Sequence, residues 1–270
     1  EFIRSRNVGF SAYSLTPGAS HYPFFEGRSG IDIIPKLIEI TMVSGTFSIN
    51  ETVTGSVGDG GQLISFRVSQ PNHKTGPYNA PISTFPSNPY DTSLTLGTSY
   101  TESSTVLNVD IASLTEDAQG DFFGRIATGM RLVGETSGAV ATISNIRLIP
   151  DDHGSLYGSF FFRDPTVSPP PPLRFTNGQN TFRLTSDVNN ANPLPGDEAS
   201  ITRGDATYCT TATLTEFTTT TTITRRPPPP VNAGDPLAQS FTVDETGMFL
   251  SSLDLYFSEK DDNIPLTVQI

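Results

Sequence analysis

Glu51-Thr-Val-Thr-Gly-Ser-Val-Gly-Asp-Gly-Gly-Gln-Leu-Ile-Ser-Phe-Arg-Val68 reads as strand, glycine-rich turn, strand. Its glycines relieve the Cβ clash that a tight primed turn imposes on any other residue. Gly129-Met-Arg-Leu-Val-Gly-Glu-Thr-Ser-Gly-Ala-Val-Ala-Thr-Ile-Ser144 reads the same way. Val53-Thr54-Gly55-Ser56 lies over Leu132-Val133-Gly134-Glu135, and Gly58 falls close to Gly138. Two copies are too few for a solenoid. They imply a small β-module used twice.

Outward from this module the β texture continues. Phe2, Arg4, Arg6, Val8 and Phe10 alternate along a strand within Phe2–Tyr13, and Thr16-Pro17-Gly18 supplies a turn. Tyr22-Pro23-Phe24-Phe25-Glu26-Gly27 is a short strand or corner. Ile31-Asp32-Ile33-Ile34-Pro35 is a strand that Pro35 ends or confines to an edge; Leu37–Val43 resumes the pattern and Gly45 breaks it. Pro71, Pro77, Pro81, Pro86 and Pro89 exclude a central strand from Pro71–Gly97, which reads as a long loop. Val106–Leu114 returns to strand alternation. Asp151-Asp152-His153-Gly154 is a turn leading into Ser155–Arg163, with Phe160-Phe161-Phe162 as its aromatic centre.

Composition agrees. Gly (23) and Pro (22) oppose helix interiors, Phe (18) far outnumbers Met (3), and no stretch has sustained helical periodicity. The chain is therefore expected to be all-β. A formal charge of −12 repels phosphate backbones, and the few Lys and Arg are scattered, which argues against a nucleic-acid partner. Apolar runs such as Ile31–Ile40 are too short to insert in a bilayer. No signal peptide is visible. The chain opens at Glu1 in a strand pattern and stops at Ile270 inside another, so it reads as part of a longer polypeptide. Cys209 stands alone, reads as a small apolar strand residue, and suits a reducing cytoplasm during synthesis.

The C-terminal third is distinct. Two polyproline tracts, Pro169–Pro172 and Pro227–Pro230, act as stiff spacers. Between them nothing breaks a strand over Ala206–Arg226, which extended would span on the order of 60 Å. So long a polar strand needs partners, from another chain or from a long hairpin; a Thr-rich stalk without fixed structure is the other reading. Phe249, Ser251, Leu253, Leu255 and Phe257 alternate with Leu250, Ser252, Asp254 and Tyr256, as in the opening strands of a β-sandwich. The expected layout is an N-terminal strand and connector region over 1–45 and the β-module region over 46–150. An extended β segment with both polyproline linkers follows over 151–234, and then the start of a β-sandwich over 235–270. Small β-modules and hairpins joined by extended strands and Pro-rich linkers would make an elongated body.

The last segment carries a resemblance. Asp235-Pro-Leu-Ala-Gln-Ser-Phe, followed by Gly247-Met-Phe-Leu-Ser-Ser-Leu-Asp-Leu-Tyr-Phe-Ser-Glu-Lys-Asp-Asp-Asn-Ile-Pro-Leu-Thr-Val, resembles a segment of large virion structural proteins of tailed phages, most closely those of T4-like cyanophages. Ile3-Arg-Ser-Arg-Asn-Val, Leu15-Thr-Pro-Gly, Gly129–Ile149, Gly158-Ser-Phe-Phe-Phe-Arg-Asp-Pro and Phe175–Ser186 add further similarity in order, over about half the chain. The resemblance implies a tail-fibre or baseplate protein in the virion that positions the host-adsorption apparatus. Its partners would be other tail proteins, further copies of itself (a trimer, as in many fibres) and host-surface glycan. It brings no catalytic residues. Two other readings stand beside it: a secreted or cell-surface glycan-binding β-sandwich adhesin, and a tail-associated polysaccharide-degrading enzyme.

Chemistry in the sequence is sparse, and no catalytic, cofactor-binding or metal residues are assigned; the chain is read as not an enzyme. A Gly-x-Ser-x-Gly elbow is absent. His21, His73 and His153 sit in loop or turn sequence, where a solvated His is ordinary. One Cys and three scattered His give no zinc spacing. Asp151-Asp152 and Asp261-Asp262-Asn263 could offer oxygens to Ca²⁺, but neither follows an EF-hand loop and turns favour these residues anyway. Asp110, Glu116, Asp117 and Asp121 could supply the carboxylate pair of a glycosidase, with solvated turn charges as the simpler account. Arg203-Gly204-Asp205 spells an integrin tripeptide, which a Gly turn before the long strand explains. Gly58-Asp59-Gly60-Gly61 is not followed by Lys-Ser/Thr or a helix, as a phosphate loop would be.

Overall fold

The structure is a computed structural model that describes residues 2–116, 121–166, 172–193, 195 and 200–210. The described residues are all-β, with every strand pairing antiparallel. The segment 211–270, on which most of the long strand, the second polyproline tract and the β-sandwich were read, lies outside the described residues, as does most of the first tract.

The two hairpins of the repeat form as read and lie side by side. β5 (Thr52–Ser56) pairs with β6 (Gln62–Arg67), and β13 (Arg131–Gly134) with β14 (Val140–Asn145). β5 then pairs with β13, with Val53 opposite Gly134, Thr54 opposite Val133 and Gly55 opposite Leu132. Because Val53 matches Leu132 and Gly55 matches Gly134 in the repeat, this register is a local two-fold centred on the Thr54–Val133 pair. Gly58 and Gly138 both take positive φ (56° and 67°) at the two turns. Gly55 is needed for packing: a Cβ there would come within 2.6 Å of Ile64 and 2.7 Å of the Met130 sulfur.

These four strands are the middle of a seven-stranded sheet. β4 (Leu37–Ser44) and β11 (Val106–Asn108) extend it beyond β14, and β12 (Phe123–Gly124) closes it beyond β6. Alternate residues on one face bury Ile38, Ile40, Val53, Ile64, Phe66, Leu107, Leu132 and Ile143 in an almost wholly aliphatic core. Glu51 ties the repeat together. Its buried carboxylate accepts the Ser48 N–H (2.5 Å), the Ser137 N–H (2.9 Å) and the Ser137 hydroxyl (2.9 Å).

A second core is aromatic and lies between two three-stranded sheets. One runs β1 (Arg6–Ala12), β15 (Leu156–Phe162), β3 (Asp32–Pro35); the other β17 (Arg203–Thr210), β16 (Gly178–Thr185), β2 (Tyr22–Phe25). Phe25, Phe160, Phe162, Phe175, Phe182 and Tyr208 meet in tilted, stacked and edge-to-face pairs with centroids 4.7–6.2 Å apart. The Phe160-Phe161-Phe162 run thus sits on the central strand of its sheet, and β3, which carries Pro35, is an edge strand. β3 serves both cores: Ile33 joins the aromatic cluster and Ile34, pointing the other way, the aliphatic one. Asn7 joins the two bodies at a sheet edge. Its side-chain amide donates to Gly124 O and accepts from Gly124 N, both at 2.9 Å, pairing with β12 as another strand would.

Two segments depart from the expectation. Val106–Leu114 is a strand only to Asn108; α1 (Ile111–Glu116) follows, because Asp110 starts a turn whose carbonyl accepts the Ser113 N–H. Ile111 and Leu114, three apart, then share the face turned to the core, a helical spacing that a strand would place on opposite faces. Pro71–Gly97 contains no central strand, but it is not featureless. β7 (His73–Thr75) pairs with β8 (Ser83–Thr84), and β9 (Ser87–Asn88) with β10 (Asp91–Thr95), as two small ribbons.

Candidate functional site

Two of the three histidines are not solvated. His21 and His73 are buried, each with one ring nitrogen 3.0 or 2.9 Å from a backbone carbonyl, of Ala19 and of Gly76 respectively. Burial lowers both imidazoles below their ordinary value; at His73 the nearby Lys36 cation adds to the effect. A His in loop sequence was expected in water, but His21 bridges to Leu148 and His73 pairs with Thr84 in β7. His21 Nε2 lies 3.0 Å from the Thr202 hydroxyl, at the root of β17. His153 alone is exposed, with Nδ1 2.7 Å from Asp152.

His73 belongs to a buried polar cluster under the Pro71–Gly97 segment. Lys36, between the apolar strands β3 and β4, is 5% exposed and donates to Val109 O at 3.1 Å. Burial pulls its ammonium down to about 7, with Asp110 opposing. Asp110 is held by both Nε (2.8 Å) and Nη2 (2.5 Å) of Arg67. Asn108 donates to Pro71 O and His73 O, fastening the ribbon segment to β11, and the Tyr100 hydroxyl donates to Ser69 O. Ser69 Oγ, His73 Nδ1 and Asn108 Oδ1 have no hydrogen-bond partner among the described residues. Sequence reasoning passed over this cluster, although a lysine inside an apolar run (Ile33-Ile34-Pro35-Lys36-Leu37-Ile38) is its visible trace. None of its residues lines either of two cavities beside β2 and β3, and its charges are turned on one another.

Of the carboxylates considered for glycoside hydrolysis, two have described side chains, Asp110 and Asp121. Asp110 is buried on Arg67, Asp121 is exposed, Asp117 lies outside the described residues, and Glu116 closes α1. Asp151, Asp152 and His153 bring three ligand atoms within 4.8 Å, as a cation would need. Asp151 is already committed: Oδ1 accepts the N–H groups of His153 (3.0 Å) and Ser155 (2.8 Å), and Oδ2 pairs with Lys74. A cation there would compete with an ammonium. Asp261-Asp262-Asn263 lies outside the described residues.

Arg203-Gly204-Asp205 is not a turn but the start of β17, and Arg183 grips Asp205 at 2.6 and 2.8 Å. Cys209 is on that strand as expected, but exposed. The described part of Ala206–Arg226 finds its partner within the chain, in β16, the hairpin alternative. β17 shows mostly exposed residues and has no strand on its outer side among the described residues.

The larger cavity, about 620 Å³, is an open groove beside β2 and β3 lined by Phe24, Ile31, Ile126, Ile146 and Leu148 among others. The charged groups at its rim are neutralised: Arg147 is doubly bonded to Glu39 and Asp32 to Arg163. Elsewhere, three rings lead outward from a small third core. Buried Phe85 meets Tyr157 at 6.5 Å, and Tyr157 meets exposed Tyr13 at 5.9 Å, each pair near perpendicular. Burial, and then the neighbouring Tyr13, push the Tyr157 phenol up to about 12. Comparison of the chain with family models, curated proteins and solved structures finds no match.

Proposed function

We propose that the chain is a structural component of a bacteriophage tail, in the baseplate or an attached fibre, where it positions the host-adsorption apparatus. The observation that carries this reading is β17. Among the described residues, eight residues of mostly exposed strand form one edge of a sheet, longer than the edges at β3, β11 and β12. β11 and β12 are only three and two residues long, Asn7 occupies the edge of β12, and β3 ends in proline. A long open edge is a template for pairing with a further strand, which suits a subunit built into an assembly. The ordered resemblance to cyanophage virion proteins supports the same reading, as do buried polar groups spent on one another. In this proposal the protein is made in the host cytoplasm and resides in the virion. Its partners are other tail proteins and further copies of itself, in a trimer.

Immunogold labelling of phage particles that encode this chain tests the proposal. Gold on the tail tip or fibres is expected. Unlabelled particles with complete tails would overturn it.

A further inference from the structure

The ribbon made by β7 and β8 is anchored at its roots. From Lys74 to Thr84 no residue is buried, whereas His73 and Phe85, which flank that stretch, are each 4% exposed. Asn108 fastens the first root to β11, its side-chain amide donating to His73 O at 2.7 Å and to Pro71 O at 3.0 Å. So thinly buried a segment is of the kind that opens locally, ahead of the rest of a fold. The His73 imidazole closes this root. Its Nε2 lies 2.9 Å from Gly76 O and so carries the proton of the neutral ring. Nδ1 is buried and has no hydrogen-bond partner among the described residues, and the residue's own carbonyl is taken by Asn108. His21 differs: Ala19 O and the Thr202 hydroxyl each lie 3.0 Å from one of its ring nitrogens, so a charged ring there has an acceptor for both N–H groups.

We propose that His73 is an acid-operated latch: a proton on Nδ1 releases the β7–β8 ribbon from β11 while both cores stay folded. The second proton can go only to Nδ1, where the closed ribbon offers no acceptor among the described residues. A charged N–H buried without a partner is costly, and opening the root places it in solvent. The neighbouring charges leave this cost standing. Lys36, at the junction of β3 and β4, is a buried cation below about 7. Asp110, which follows β11, opposes it but is held by Arg67 of β6. The Tyr100 phenol, kept protonated by burial, donates to Ser69 O, and Lys74 on β7 itself is paired with Asp151. Burial therefore holds the closed imidazole below its ordinary 6.5. Lys36 adds to this, while Gly76 O, Asp110 and the residue's own carbonyl oppose it. Above 6.5 the open and closed ribbons bind protons alike. Between 6.5 and the closed value the open ribbon binds more, so opening rises up to about tenfold per pH unit of acidification. The latch does not depend on the tail assignment.

NMR on the whole chain tests it, following the His73 ring protons and the exchange of single amides from about pH 8 to about pH 4.5. His73 should titrate with a midpoint below 6.5. The N–H groups of Ile82 and Phe85 bond Thr75 O and Asn72 O across the ribbon. Corrected for the intrinsic rate, their exchange should quicken up to about tenfold per pH unit below 6.5. Amides of β5, β13 and β16 should remain slower by at least about a hundredfold at the acid end, since both cores stay folded. His73→Gln, which gains no charge, should abolish the acid quickening in the ribbon. Lys36→Met should raise the His73 midpoint towards 6.5, a readout that stands even if His73→Gln does not fold. A His73 midpoint at or above 6.5, or one that Lys36→Met leaves unmoved, would overturn the proposal. So would the same acid quickening in His73→Gln, or core amides that reach the ribbon's rate.

Discussion

The aliphatic and aromatic cores are built from the chain in opposite ways. The seven-stranded sheet grows from two hairpins that pair with themselves and then with each other, so its central contacts are local or related by the repeat. The two three-stranded sheets join segments far apart in sequence: Arg6 faces Phe162, and Tyr22 faces Thr185. Phenylalanines supply there what local pairing does not. Large rings bury much apolar area per residue and hold strands whose meeting carries a high loop-closure cost. Where the two bodies meet, the fold uses single polar devices, Asn7 on Gly124 and the two-faced strand β3.

The contrast can be broken at the aromatic side first. Phe160 stacks on Phe182 at 4.7 Å and touches four further rings, so Phe160→Ala should cost about 3–5 kcal/mol in urea unfolding. A loss below about 1 kcal/mol would mean the aromatic core does not hold these sheets. On the aliphatic side, Glu51→Ala strips acceptors from the N–H groups of Ser48 and Ser137 and should cost about 2–3 kcal/mol. An unchanged midpoint would show that the repeat is not tied through this carboxylate. At the joint, Asn7→Ala unpairs both backbone groups of Gly124 and should cost about 1–2 kcal/mol. Hydrogen exchange should then quicken at Gly124 before it does in β5 or β13; the reverse order would count against a joint there.

The polar cluster gives a change of opposite sign. Lys36 titrates near 7 in the fold and at 10.5 when free, so between these values the unfolded chain binds more protons. Stability therefore rises with pH from about 7 towards 10, and the full cost of burying the cation is present below that window. Lys36→Met should stabilise by about 1 kcal/mol at pH 6 and flatten this slope, since Asp110 keeps Arg67. A variant less stable than the parent at pH 6 would show that the ammonium is a net support. The smallest effect is expected on β17, where Arg183→Ala breaks a partly exposed pair with Asp205 and should cost under about 1 kcal/mol.

Legibility in the sequence follows the same division. The all-β class, the paired hairpins and the edge placement of β3 could be read because glycine turns, period-two alternation and Pro35 are local signals. The aromatic core could not be assembled. Phe160-Phe161-Phe162 announces a buried strand, but nothing in it names β1 and β3 as neighbours. The candidate sites were harder still. His21 and His73 are buried where they pair with Leu148 and Thr84, partners that their own neighbours in sequence do not name. Tyr13 was read only as part of a strand, since the braces at Tyr157 and Phe85 come from more than seventy residues away.

The most direct test of the tail assignment is a cryo-electron microscopy reconstruction of intact particles encoding this chain. The account predicts density for both cores at the baseplate or along a fibre, with a strand from a neighbouring element laid against the outer edge of β17. A complete tail in which no region accommodates the seven-stranded sheet and its aromatic companion would contradict it.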